Sequence, residues 1–413
     1  MLNYVLSKRI YQYKGKGLLI VTILLNVAVL GWFKYLDFGI ENINAILGKS
    51  WLTPLEIALP IGISFYTFQI LSYQVDCYKG KIKRQVTFIE FATYICMFPQ
   101  LVAGPIVLFD EVEANLQKRG VTVEKIEDGL KWFTFGLGLK VLLANSIYTL
   151  WNTILSAGTI GLGASVAWLG AIAYTFQIYF DFWGYSLMAL GLGKMLGFTL
   201  PENFKQPYIS KSIAEFWRRW HISLTTWFRD YIYIPLGGSR VGKWKSVRNT
   251  FIIFLVSGFW HGANWTFICW GLFHALLFLP LLLTSSNRKY RGIVAEGKLL
   301  PSWKEAIQIG TTFFLVVIGW ILFRAENMEQ AIGYIGRLFS MQQSTGNMPS
   351  HSLEVGLYIL LFWILEWFQR DKPYALQIQF LKSKSLRVAI LTFVILFIEI
   401  TMGKSSEFIY FQF

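Results

Sequence analysis

Long apolar runs separated by short polar blocks dominate this 413-residue chain. A helix that crosses a bilayer needs about 20 mostly apolar residues. The candidates are Leu18–Phe33, Leu55–Tyr73, Phe88–Ile106, Leu130–Leu150, Ala164–Phe182, Phe251–Trp260, Trp265–Leu283, Ile307–Phe323, Val355–Phe368 and Val388–Met402. The pattern therefore predicts an all-α, polytopic membrane protein of about ten hydrophobic helical segments, folded as a single membrane domain over residues 1–413. Pro60, Pro99 and Pro105 fall inside or at the ends of apolar runs, so kinks or re-entrant pieces are expected there. Such breaks are tolerated where protein rather than lipid covers the freed backbone. Met341–Ser352 is the one loop-like polar run late in the chain, and neither a repeat nor a low-complexity tract is visible.

Composition sharpens this picture. Hydrophobic residues make up 54% and charged residues only 15%, against roughly 25% charged in soluble domains. A mean hydropathy of +0.46 excludes a water-soluble surface. The net charge of +14 would suit a nucleic-acid binder. Its distribution argues otherwise: Lys8, Arg9, Lys14 and Lys16 precede the first apolar run, and Lys79, Lys81, Lys83 and Arg84 follow the second. Blocks two spans apart lie on the same face, and the positive-inside rule makes that face cytoplasmic. The stretch Pro201–Thr250 carries nine Lys and Arg against Glu202, Glu215 and Asp230 and belongs on the same side. Nucleic acid is thus not an expected partner; membrane lipids are. Cys77, Cys96 and Cys269 are scattered, with neither disulfide nor metal-ligand spacing, so no metal is expected. The first apolar run lacks a small-residue processing site after it and reads as a retained span.

Three clusters could carry chemistry. Placed on one helix at 100° per residue, Ser212–Asp230 brings Arg218, His221, Thr225 and Arg229 into one stripe, with Trp217, Trp220, Leu224 and Trp227 on another face. An amphipathic helix at the membrane interface explains this pattern. So does a polar stripe, with arginines beside a histidine, that faces a pocket for an anionic, phosphate-bearing ligand. The second cluster is GFWHGANW, Gly258–Trp265. His261 stands between two apolar runs, where an ionisable side chain usually faces a cavity or a partner. If the segment is helical, Asn264 and Trp265 share its face. A buried imidazole beside an amide suits proton abstraction, and a packing histidine bonded across the bundle fits equally well. The third is YFDFWG, Tyr179–Gly184, in which Asp181 lies inside an apolar run and either pairs with a basic residue or lines a pocket. His274 reads as a core residue, and His351 lies in a polar loop. Gly191–Gly193 is a small-residue packing stretch, and no GxxxxGKS, GxSxG or HExxH is present.

Taken in order, LPIGISFYTFQ (59–69), MFPQLVAGPI (97–106), YFDFWGYSLMALGLG (179–193), the long run 202–238 and WHGANW (260–265) resemble the membrane-bound O-acyltransferase (MBOAT) family, with core motifs inside residues 55–280. GWILFRAEN (319–327) and the ending EFIYFQF (407–413) fit its alginate O-acetyltransferase subgroup and bacterial relatives. The resemblance implies a ring of helices around a central funnel. It maps two family histidines onto His221 and His261, with His261 the catalytic one. It implies transfer of an acetyl group from acetyl-CoA, a co-substrate rather than a bound cofactor, for O-acetylation of an extracytoplasmic polysaccharide, often through a secreted SGNH-type acetyltransferase. On that reading His261 is the general base, and Asn264 or His221 stabilises the oxyanion. Arg218, Arg219 and Arg229 hold the donor's phosphates, and Asp181 is a further substrate-side candidate. The implied location is the bacterial inner membrane, multi-pass. Family members usually begin with further hydrophobic helices that are missing ahead of Leu18–Phe33 here. The competing class is a transporter that exports a polysaccharide or lipid precursor without acyl transfer; such proteins often show repeated halves, and this sequence does not.

Overall fold

The computed structural model describes all residues except 103, 157–161, 291, 342–348, 373–382, 402–407 and 409–413. The ending EFIYFQF, apart from Phe408, most of the polar run 341–352 and Met402 therefore lie outside the described residues. Helices supply the regular structure, and no strand occurs among the described residues. Among the described residues four helical stretches are long and apolar enough to cross a membrane: Lys16–Lys34, Val123–Leu155, Trp265–Leu283 and Trp303–Arg324. The expected number of about ten is not reached by that measure, because several apolar runs fold as shorter or interrupted helices.

The interruptions have local causes. In the run expected over Leu55–Tyr73 the helix starts only at Ile63 and continues to Lys79. Pro60 lacks a backbone donor, and Gly62 takes a left-handed conformation with φ 75°. A Cβ on Gly62 would also stand 2.5 Å from the Leu101 carbonyl oxygen. The run Phe88–Ile106 is broken as expected: the Phe88–Cys96 helix ends at Met97, which is extended, and a single turn Phe98–Leu101 follows around Pro99. The run over Leu130–Leu150 begins earlier, at Val123, and passes through a π-helical turn, Leu139–Ala144, before Asn145–Ser156. Such wide turns are rare and occur mostly as single insertions within α-helices. Here the turn carries Lys140 to Asp181 on the neighbouring helix, 2.5 Å away.

That neighbour, Ala164–Met195, runs unbroken for 32 residues and takes in the whole YFDFWGYSLMALGLG motif. It packs against Val123–Gly138 at backbone distance. A Cβ on Gly191 would lie 2.5 Å from the Gly129 carbonyl oxygen, and one on Gly184 would lie 2.7 Å from that of Gly136. Small residues are the usual means by which helices approach closely in lipid.

The reading of Ser212–Asp230 as one amphipathic helix is corrected. The structure has two short helices, Ile213–Arg219 and Ile222–Phe228, then a π turn, Arg229–Tyr233. Trp220 is extended and His221 left-handed (φ 43°). The tryptophans explain the break: Trp220 packs against Phe204 and Trp320, with ring centroids 4.9 and 4.8 Å away, while Trp227 stacks on Phe68 at 3.9 Å. A straight helix would present these rings on one face; the bend delivers them to two parts of the aromatic core. The residues around the break find backbone partners outside the helices, from Ile222 N to Asn203 O (2.9 Å) and from Lys205 N to Arg219 O (2.9 Å).

The last turns of Lys16–Lys34, Lys243–His261 and Trp303–Arg324 gather at one end of the molecule with the start of Trp265–Leu283. The basic segments collect at the other end. There Lys211 pairs with Glu305 (3.2 Å), Arg218 bonds the carbonyls of Asn287 and Tyr290, and Arg370 bonds those of Val294 and Ala295.

Candidate functional site

His261 is the last residue of the Lys243–His261 helix and is only 7% exposed. Its Nδ1 lies 2.7 Å from the Ser257 carbonyl oxygen, one turn back. A carbonyl can only accept, so Nδ1 carries the proton, and the neutral ring keeps a lone pair on Nε2. That is the tautomer a general base needs. The ring is held edge-on by Trp260, Trp270 and Phe323, at 4.9, 5.0 and 5.3 Å between centroids.

The helix end that carries this imidazole is satisfied carbonyl by carbonyl. The last carbonyls of a helix have no partner within it. Here the His261 ring takes that of Ser257, Gly262 N approaches that of Gly258 at 3.5 Å, and the Tyr35 hydroxyl donates to that of Phe259 at 3.0 Å. The Lys34 ammonium donates to the carbonyls of Trp260 (2.7 Å) and His261 (3.0 Å). The Tyr35 ring also stacks on Phe259 at 4.1 Å. Lys34 and Tyr35, at the end of the Lys16–Lys34 helix, thus cap the helix of His261.

Two cavities open beside this end. One, of about 140 Å³, is bordered by Lys34, the Leu59–Phe65 segment, Val102, Trp260 and His261. The other, of about 430 Å³, is bordered by Phe33, Lys34, Leu59, Gly262, Asn264, Arg324 and Glu326. Both include Lys34 and Leu59, so the two spaces meet there.

The remaining sequence candidates are distributed differently from what their spacing suggested. Asn264 does not share a helix face with His261, because the helix ends at His261 and Gly262 is extended. Instead Asn264 caps the Trp265–Leu283 helix: its side-chain oxygen accepts from Thr266 N at 3.0 Å, and its amide donates to the Glu326 carbonyl at 2.7 Å. His221 is 1% exposed, lies edge-on to Phe182 at 4.6 Å and borders neither of these cavities. The three arginines diverge. Arg218 reaches the Asn287–Tyr290 segment, Arg219 bonds Glu215 (2.8 Å) and the Lys205 carbonyl (3.2 Å), and exposed Arg229 pairs with Asp230 (2.6 Å). Asp181 is buried in its ion pair with Lys140, the first of the two alternatives its position left open. His274 is a core residue whose Nδ1 accepts from the Trp217 indole at 3.3 Å. Among the described residues no group of three or more His, Cys, Asp or Glu is placed to hold a metal ion, and all three cysteines are free.

Sequence reasoning missed Lys34, Tyr35 and Arg324. Lys34 and Tyr35 directly follow the apolar run Leu18–Phe33 and carry no local signal of their own. Arg324 lies in GWILFRAEN, which was singled out only as a motif.

The model of the MBOAT, membrane-bound O-acyltransferase family, matches residues 11–320. A protein of Pseudomonas putida named "probable alginate O-acetylase" is 38% identical over 94% of this chain and 82% of its own length. The protein of the same name from Pseudomonas aeruginosa is 42% identical over 85% of the chain, which spans 66% of that relative, just under two thirds. A peptidoglycan O-acetyltransferase of Helicobacter pylori is 35% identical over 80% of the chain and 67% of its own length. The matched stretch contains His261, the capped helix end, the smaller cavity and the larger one apart from its Arg324–Glu326 border: this multi-pass membrane chain belongs to the membrane-bound O-acyltransferase family.

Proposed function

We propose that the protein transfers an acetyl group from acetyl-CoA, taken up at the cytoplasmic face of a bacterial inner membrane, to an acceptor hydroxyl at the opposite face, for O-acetylation of an extracytoplasmic polysaccharide. Relatives named for alginate and peptidoglycan O-acetylation support the acceptor class. Charge supports the direction. Lys79–Arg84 and the basic stretch 205–248 flank one end of the helices, whereas His261 and its cavities lie at the other. By the positive-inside rule the first end is cytoplasmic. Arg218 and Arg229, exposed at that end, would meet the donor's phosphates.

One observation carries the reading: an imidazole locked with Nδ1 protonated, on the wall of a cavity at a helix end where every carbonyl has a partner. His261 Nε2 accepts the proton of the acceptor hydroxyl as its oxygen attacks the thioester carbonyl; a positioned base of this kind contributes about 10²–10⁴-fold. Asn264 supports the turn that follows. The relay to the polymer runs through a secreted SGNH-type acetyltransferase on the outer face. The test is His261→Ala, which should abolish acetyl esters on the surface polysaccharide while the protein stays inserted and abundant. A mutant polymer with wild-type acetate would overturn the assignment, and a change in polymer amount without a change in acetylation would mark a transporter instead.

A further inference from the structure

We infer that Lys34 is the oxyanion donor of this site, an inference that rests on the acyl-transfer reading above. Attack of a hydroxyl on a thioester carbonyl leaves negative charge on the carbonyl oxygen. Fixed donors aimed at that oxygen are usually the largest single contribution to such reactions. Asn264, the nearest amide in sequence, already uses both ends of its side chain, on Thr266 N and the Glu326 carbonyl. The Lys34 ammonium has three donors. Two are spent on the carbonyls of Trp260 and His261, which fixes the nitrogen against the helix end that bears the base. The third donor remains. Among the described residues no carboxylate lies within ion-pairing distance of Lys34. Lys34 is also, among the described residues, the one charged residue that borders both cavities, so a carbonyl reacting at His261 meets it from either side.

The step balances as follows. The acceptor oxygen bonds to the thioester carbon, its proton passes to His261 Nε2, and the carbonyl electron pair moves onto oxygen as an oxyanion against Lys34. Collapse restores the C=O bond and breaks the C–S bond. The departing thiolate takes the proton back from His261 and leaves as the free thiol.

Lys34 also caps a helix, so the test must separate charge from capping. Membrane vesicles from source cells, which keep the native partners, are given labelled acetyl-CoA, and label on the polymer is followed against acetyl-CoA concentration at matched protein abundance. Lys34→Met and Lys34→Gln should lower the maximal rate about 10²–10³-fold, the size of a lost oxyanion donor, with KM for acetyl-CoA unchanged. Lys34→Arg, which keeps a charged donor, should recover most of it. Tyr35→Phe removes a cap from the same helix end without touching charge and should stay within a few-fold of wild type. A Lys34→Met rate near wild type, a failure of arginine to rescue, or an equal loss in Tyr35→Phe would each overturn the inference. An unlabelled polymer with the wild-type chain, or full transfer by His261→Ala, would instead overturn the acyl-transfer reading, and this inference with it.

Discussion

Replacing Gly258 with alanine should cripple transfer without removing any group that takes part in it. Gly258 lies three residues before His261, where the Lys243–His261 and Trp265–Leu283 helices cross. A Cβ there would stand 2.3 Å from the Phe267 carbonyl oxygen, and the reciprocal position, Gly271, would place one 2.3 Å from that of Phe254. Ordinary contact begins at 3.4 Å, so the added methyl is about 1 Å too close to backbone that cannot rotate away. The helices must part by about that amount, at an overpacking cost of about 1–3 kcal/mol. The movement takes His261 away from Trp270, its edge-on neighbour at 5.0 Å, and shifts the carbonyls that Lys34 holds. A misplacement of about 1 Å at reacting groups costs about 10²-fold in rate. Polymer labelling in vesicles at saturating acetyl-CoA should therefore fall about 10²-fold in Gly258→Ala, with thermal unfolding in detergent at a lower temperature. Gly310→Ala, where a Cβ meets nothing within 4 Å, serves as the neutral control. A Gly258→Ala protein with wild-type rate and stability would refute the claim that close helix approach positions His261 for the proposed proton transfer.

Three further outcomes are expected. The Glu90 carboxyl is held down at about 2 by the Arg84 guanidinium first and then by the Thr87 amide. Because the folded value lies below the ordinary 4.5, the group stabilises the fold above that pH and the benefit is lost as pH falls toward 2; Glu90→Gln should cost about 1–3 kcal/mol at pH 7, after allowance for solvent screening, and almost nothing near pH 2, read by thermal unfolding. A single reactive cysteine at Arg240→Cys should escape an impermeant thiol reagent applied to intact cells, and efficient labelling there would reverse the proposed orientation. Purified full-length protein in lipid vesicles with acetyl-CoA and polymer alone should leave the polymer unmodified, because drawing a hydrated glycan into the site would desolvate many hydroxyls at ~1–3 kcal/mol each when unpaired; robust acetylation in that mixture would remove the need for a relay partner.

Much of the scaffold was legible because lipid imposes a simple rule on the sequence. The run expected over Trp265–Leu283 is a helix with those same bounds, and Leu18–Phe33 lies inside Lys16–Lys34. The breaks at Pro60 and Pro99 were signalled by residues that cannot continue a helix. The Asn264 cap also had a signal, an asparagine directly ahead of an apolar run. The i+3 spacing from His261 drew attention to a shared face, but Gly262 had already ended the helix.

The break in Ser212–Asp230 had no such signal. Neither Pro nor Gly lies in that stretch, and its periodicity fits one helix. The bend at His221 is imposed from elsewhere: Asn203 accepts from the Ser223 hydroxyl at 2.6 Å and approaches Ser223 N at 3.3 Å, while its carbonyl takes Ile222 N. The Trp220 and Trp227 rings then have separate pockets to fill. Local propensity is a weak prior against tertiary contacts of that size. Lys34 illustrates the same limit at the site itself. Its hydrogen bonds reach 226 and 227 residues along the chain, to Trp260 and His261. Hydropathy sees only that an apolar run has ended with a lysine, and a lysine at the end of a spanning helix ordinarily reaches for headgroups. What redirects this one inward is the cluster of unsatisfied carbonyls at the end of another helix. The Lys34 amine is thus fixed beside the His261 imidazole by the demands of helix capping, before any requirement of the chemistry is considered.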